Sequence, residues 1–238
     1  MQHLKLLLSV LFLLPFSNNA QTNEAERLLE KSIAYHDPNQ VWNSFEGSME
    51  INMTIPDKGV RNTKIELNFP KRYFKSTVTQ DDQVIVSQWD KGDCAFWFNG
   101  SQEYAPEVAS EYRLNCERTS KMKNYYTYLY GLPMKLKDPG TKLHPEVKKV
   151  EWRGETYLRL QVDYDPQIGK DRWYFYLDQD TAQLKHYQFF HDESKNDGEY
   201  ILLSEEMEIQ GMKIPKRRVW YTNKQDRYLG TDDLISGF

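Results

Sequence analysis

The sequence predicts a mainly antiparallel β fold (α+β) of about 10–11 strands, with an N-terminal helix and an inserted helical segment. Three observations carry this expectation. Short runs of alternating apolar and polar residues recur about every 8 to 12 residues. Turn residues separate them, as at Pro56 to Gly59, Asp90 to Gly92, Asn99-Gly100 and Arg153-Gly154. Only two stretches carry helical spacing. Such a pattern suits a sandwich or a barrel, and closing the sheet would remove the edges that so many strands otherwise expose.

The chain opens with a charged start, Met1 to Lys5, an apolar run from Leu6 to Phe16, and the small and polar Ser17 to Ala20. This is the pattern of a secretory signal peptide cleaved after Ala20. The run falls short of the roughly 20 apolar residues that a membrane span needs. No cysteine lies near the cleavage site, so no lipid anchor is expected there. Residues 1–20 are thus a leader and residues 21–238 a single domain, exported to the periplasm or secreted, with no transmembrane segment in the mature chain.

The helix comes first in the mature chain. Asn23 caps it, Glu26 stands three residues on, and Ala25, Leu28, Leu29 and Ile33 recur at helical spacing until His36 to Pro38 end the pattern. Strands follow from Phe45 to Met53 and Thr63 to Phe69, then Tyr73 to Thr79, Val84 to Trp89 and Cys94 to Phe98. From Pro106 to Leu132 strand signals lapse: Val108, Tyr112 and Cys116 are spaced by four, and Met122 to Tyr130 is continuous and tyrosine-rich. One or two helices are expected there. Sheet resumes with Val147 to Trp152 and Tyr157 to Tyr164. A four-stranded meander closes the pattern: Trp173 to Leu177, Leu184 to Phe190, Tyr200 to Gln210 and, after a turn at Gly211 to Pro215, Arg217 to Thr222.

The order of leader, amphipathic helix, five or six strands, inserted helical segment and second antiparallel run resembles the LolA-like superfamily of periplasmic lipoprotein carriers and outer-membrane lipoprotein-sorting proteins. Leu177-Asp178, the turn Asp180-Thr181 and Leu184-Lys185 look like that family's hairpin of strand, Asp, turn and Leu. Met207 to Pro215 is similar to its run of strand, Gly, apolar residues and Pro before a basic strand. The resemblance implies a half-open, strongly curved β-barrel whose concave face is covered by helices and holds a cavity for acyl chains. It carries no individual site residue across.

Composition narrows the function further. The 238 residues have a formal net charge of −4, one unit more negative once the leader with Lys5 is gone. Basic and acidic residues are interleaved, which excludes the clustered cations of a nucleic-acid surface. Lys216 to Arg218 is the local exception and reads as a solvated strand end. Cys94 and Cys116 belong to the exported part, and a bridge between them would close a loop of 22 residues, worth on the order of 3 kcal/mol. Two buried free thiols are the alternative.

Trp173, Phe175 and Leu177 share one strand face while Tyr174 and Tyr176 occupy the other, so both faces are greasy. Either one face lines a ligand cavity or the strand is core on both sides. With Ile201, Leu203 and Met207 on a second strand, and Leu28 and Ile33 on the N-terminal helix, these residues are the candidate cavity lining. No nucleophile elbow, zinc helix or phosphate loop is present in the sequence. His186 and His191 are an odd number apart and face opposite ways in one strand. His191 with Asp192 and Glu193 is a metal group only if the strand bends, and His36 and His144 read as helix-end and turn residues. The expected function is an exported binding protein holding a lipid, acyl chain or lipoprotein, without catalysis, cofactor or metal. The alternatives are an envelope interaction module with a filled core and, third, a hydrolase. The sequence names no protein partner.

Overall fold

The computed structural model describes residues 23–238; the expected signal peptide lies outside the described residues. Helix α1 (Glu24–His36) begins with a reciprocal capping box. The Glu26 amide donates to Asn23 Oδ1 at 2.9 Å and the Asn23 amide donates to Glu26 Oε2 at 3.1 Å. Ala25, Leu28 and Leu29 face the core, where the helix packs on the sheet. The helix ends on Asp37, whose carboxylate accepts from the amides of Val41 and Trp42, both at 2.8 Å. His36 does more than end the helix. It is fully buried, its Nδ1 lies 2.7 Å from the Lys213 carbonyl, and the Leu184 amide donates to its Nε2 at 3.0 Å. The proton therefore sits on Nδ1 of a neutral ring that ties α1 to two strands.

Thirteen strands among the described residues form one antiparallel sheet. The first five are β1 (Glu46–Thr54), β2 (Val60–Asn68), β3 (Tyr73–Gln80), β4 (Gln83–Asp90) and β5 (Asp93–Phe98). Helices α2 (Pro106–Glu111) and α3 (Cys116–Tyr130) interrupt the sheet. It continues with β6 (Thr141–Leu143), β7 (Lys148–Trp152), β8 (Glu155–Tyr164), β9 (Arg172–Asp178), β10 (Leu184–Phe190), β11 (Glu199–Ile209), β12 (Met212–Thr222) and β13 (Tyr228–Gly237). The spatial order is β5-β4-β3-β2-β1-β13-β12-β11-β10-β9-β8-β6, with β7 also pairing β8, so the barrel stays open.

Two strands exceed the sequence expectation, and one of them matters. Strand β13 pairs with both β1 and β12 and thereby joins the two meanders into one sheet. Its polar Asp232 and Asp233 masked it. They stand opposite Arg218 and Arg217 on β12, so charged residues in facing register, with Arg217 paired to Asp233, replace apolar alternation there. The turn expected at Gly211 to Pro215 is shorter than predicted. Gln210 and Gly211 alone make it, at φ 52° and 84°, the conformation of a two-residue hairpin. Pairing starts at once with Ile209 opposite Met212 and includes Pro215 opposite Glu206.

The sheet has two apolar faces. On the inner face, beneath α1 and α3, lies the main core, with Phe45, Met49, Ile51, Ile65, Phe74, Phe175, Tyr187 and Ile201 fully buried. On the outer face Tyr157, Tyr174, Tyr176 and Phe190 form a second cluster with Val150 and Trp152 of β7. His186 is held there between Trp152 at 4.2 Å and Tyr176 at 4.0 Å between ring centres. This explains the two-faced β9: Trp173, Phe175 and Leu177 point inward, and Tyr174 and Tyr176 are roofed by the β7–β8 hairpin.

A candidate ligand site beneath helix α3

Helix α3 is fixed at both ends and lies across the inner face. Asn115 caps its start, accepting from the Arg118 amide at 2.8 Å. Cys116 in its first turn is bonded to Cys94 of β5, with Cα atoms 5.6 Å apart. At its far end Gly131 sits against the Trp42 ring. A Cβ added there would lie 2.3 Å from Trp42 Cζ2, closer than any side chain allows, so the absence of a side chain at this position permits the docking.

Between these ends α3 is not an ordinary core helix. Its last turns carry Tyr125, Tyr126, Tyr128 and Tyr130, and most of its other side chains are polar. Tyr128 shares a hydrogen bond with Tyr164 of β8 at 2.7 Å. Burial raises the phenol pKa values of Tyr126, Tyr128 and Tyr130, so all three stay neutral.

Beneath the last turn lies a buried charge. Arg218 of β12 is 1% exposed, and its guanidinium stacks 4.0 Å from the Tyr130 ring centre. Its Nη1 donates to the Pro215 carbonyl at 2.8 Å and its Nη2 to the Leu129 carbonyl on α3 at 3.2 Å. Asp232, directly opposite in register and 3% exposed, forms no ion pair with it among the described residues. Burial pushes the Asp232 carboxyl up to about 6, against the opposing pull of Arg218 and the Trp220 indole. Arg218 Nε, Asp232 Oδ1 and Tyr130 Oη are buried without a hydrogen-bond partner, a costly arrangement in a core that is otherwise apolar. The sequence reading of Lys216 to Arg218 as a solvated strand end is therefore corrected at Arg218. A strand with cations at successive positions puts one on each face. Arg217 goes outward to Asp233 at 2.7 Å and Arg218 goes inward.

Open space flanks α3. A cavity of about 400 Å³ lies between β2–β4 and the α2–α3 segment. Two grooves of about 460 and 480 Å³ lie on either side of the stretch that holds Asn124 and Thr127. Trp173 lines one of these grooves with Tyr128 and Tyr164. Phe175, Leu177, Ile201, Leu203 and Leu28 are buried in the core, Met207 packs at its margin, and Ile33 lines a smaller pocket near the end of α1.

Among the described residues the histidines form no metal centre, and no group of three metal-ligating side chains occurs there. His191 pairs with Asp171 at 2.7 Å, Asp192 with Lys195 and Glu193 with Arg172, so the acids beside His191 are already held by cations. No helix among the described residues is long and apolar enough to cross a membrane.

An open antiparallel half-barrel whose inner face is covered by an N-terminal helix and an inserted helix is the fold of the LolA superfamily. The chain aligns with a LolA superfamily protein from Nitrosomonas europaea at TM-score 0.51 and 11% identity, over 90% of this chain and 92% of that one. A domain described as an outer membrane lipoprotein-sorting protein from Vibrio parahaemolyticus aligns at TM-score 0.49 and 10% identity, over 90% and 92%. A DUF1329 family protein from Desulfovibrio piger aligns at 0.49 and 10%, over 91% and 93%. The chain itself belongs to DUF6503, a family of unknown function whose model matches residues 2–237. No curated protein sequence matches it.

Proposed function

We propose that this protein is an exported binding protein that holds a lipid, an acyl chain or a lipid-modified protein on the inner face of its half-barrel, and that it performs no catalysis. The observation that carries the reading is the polar, tyrosine-rich helix α3 lying over an aromatic inner face, with open volume along both of its flanks. Residues 1–20 act as the signal peptide, and the mature chain works in the periplasm or outside the cell with no cofactor and no nucleic-acid partner. Cavity-lining roles go to Trp173, Phe175, Leu177, Ile201, Leu203, Met207, Leu28 and Ile33 once the helices shift.

Magnitudes favour a ligand that displaces α3. Ten methylenes moved out of water release roughly 8 kcal/mol. The one charged hydrogen bond from Arg218 to α3, at the Leu129 carbonyl, is worth roughly 1.5–3 kcal/mol, so a chain of about ten methylenes outweighs it and a chain of one or two does not. Titration of the purified protein with a fluorescent fatty acid tests the reading: saturable binding supports it, and its absence refutes it. A second reading, an interaction module with a filled interior, has one observation in its favour, the complete burial of Phe175 and Ile201. Under that reading the fatty acid does not bind.

A further inference from the structure

We propose that the 400 Å³ cavity between β2–β4 and the α2–α3 segment is a site for an anionic, single-chain amphiphile, a carboxylate on a short apolar tail. This assignment rests on the lipid-binding reading and gives it a ligand class. The floor of the cavity is a ladder of cross-strand pairs, Ser76 with Ser87, Val78 with Ile85 and Gln80 with Gln83. Val78 and Ile85 form its apolar part, and Met122 of α3 faces them from the roof. Its volume lies in the lower part of the range of about 300–1,000 Å³ common for small-molecule sites.

The rim supplies charge. Arg61, Arg113 and Arg118 line the cavity against two acids, Asp81 and Glu111. On a chain whose net charge is −4, that balance is locally reversed. Arg153, Arg172 and Arg217 each hold an ion pair. Arg61, Arg113 and Arg118 hold none among the described residues. Arg61 donates from Nη2 to Met53 Sδ at 3.0 Å, a weak acceptor. A guanidinium without a carboxylate partner is matched best by one, because the carboxylate fits its planar fork. The cavity thus pairs an apolar patch, formed by Val78, Ile85 and Met122, with a cationic rim, the two halves of an amphiphile site.

Calorimetric titration at pH 8 with decanoate, 1-decanol and acetate tests the assignment. Decanoate is expected to bind about 10- to 100-fold more tightly than decanol. The Arg61→Gln/Arg118→Gln variant is expected to lose that preference, and Arg61→Lys/Arg118→Lys to keep part of it. If the first variant fails to fold, Arg113→Gln/Arg118→Gln, which alters exposed side chains only, replaces it and is expected to reduce the preference. Equal binding of decanoate and decanol overturns the head-group assignment and leaves the lipid reading standing. Acetate binding as tightly as decanoate overturns the amphiphile in favour of a small-anion site. An undiminished preference in the glutamine variants removes the charge recognition from this cavity. No binding of decanoate or decanol refutes the lipid reading and this assignment together.

Discussion

Arg218 on β12 donates a hydrogen bond to the carbonyl of Leu129, at 3.2 Å, and so ties the middle of the sheet to the last turn of α3. The same guanidinium stacks on Tyr130, the next residue of that turn. One side chain therefore senses whether the helix lies on the inner face or off it. Arg218→Lys keeps the charge but not the planar fork. Loss of one charged hydrogen bond costs about 1.5–3 kcal/mol. Hydrogen exchange at the amides of Tyr128 to Gly131 is expected to speed up in the variant more than exchange in β1 and β2. Uniform acceleration across the sheet would assign Arg218 to global stability instead.

The Asp232 carboxyl gives the cluster a pH dependence. Its folded value, about 6, lies above the ordinary 3.8 because it is buried. Between 3.8 and about 6 the folded chain keeps a proton that the unfolded chain has lost, so this group's contribution to stability falls as pH rises through that window. Above it the full penalty applies, on the order of 3 kcal/mol. The buried His186 acts oppositely. Burial lowers it to about 3, so it destabilises the fold as pH falls from its ordinary 6.5 toward that value. A raw pH curve mixes the two, and the difference between Asp232→Asn and the parent isolates one. The variant is expected to gain stability at pH 7 relative to the parent and to gain little at pH 4, measured by denaturant unfolding. A gain that is the same at both pH values would place the Asp232 pKa elsewhere.

The Cys94–Cys116 bond holds the start of α3 to the edge strand β5. Opening its 22-residue loop is expected to cost on the order of 3 kcal/mol. A lower melting temperature for Cys94→Ser/Cys116→Ser checks this, as does the effect of a reductant on the parent. An unchanged melting temperature in both experiments would contradict it.

Gly131 is the seat of the helix's other end. A Cβ there collides with Trp42 and with the Thr127 carbonyl, at 2.3 and 2.5 Å. Gly131→Ala is expected to destabilise by about 1–3 kcal/mol, as overpacking does. Trp42→Leu, which shrinks the facing side chain, is expected to recover part of the loss when combined with it. Strict additivity of the two changes would rule out the contact as the cause.

Much of the fold was legible because it is written in local patterns. The capping box of Asn23 and Glu26, the alternation through β1 to β5 and the inserted helical segment each depend on residues a few positions apart. What escaped depends on residues far apart in sequence. Strand β13 carries two aspartates that make sense only beside Arg217 and Arg218 of β12, and the buried fate of Arg218 is visible only once β12 is known to start at Met212. The sequence points to a cavity beside β9 and β11, where the greasy residues are most concentrated. Yet Phe175 and Ile201 are greasy enough to pack, and open volume lies along α3, partly against the less apolar β3 and β4. Arg61 gave no signal, since one arginine in an alternating strand looks like any solvated residue until its neighbours are known.

Native mass spectrometry of the gently purified protein tests the central claim most directly. The account predicts a population carrying a lipid-sized mass above the polypeptide, released on activation, and uptake of added decanoate by the emptied protein. A bare polypeptide mass that takes up no lipid when one is supplied would contradict it and leave the half-barrel as a packed interaction module.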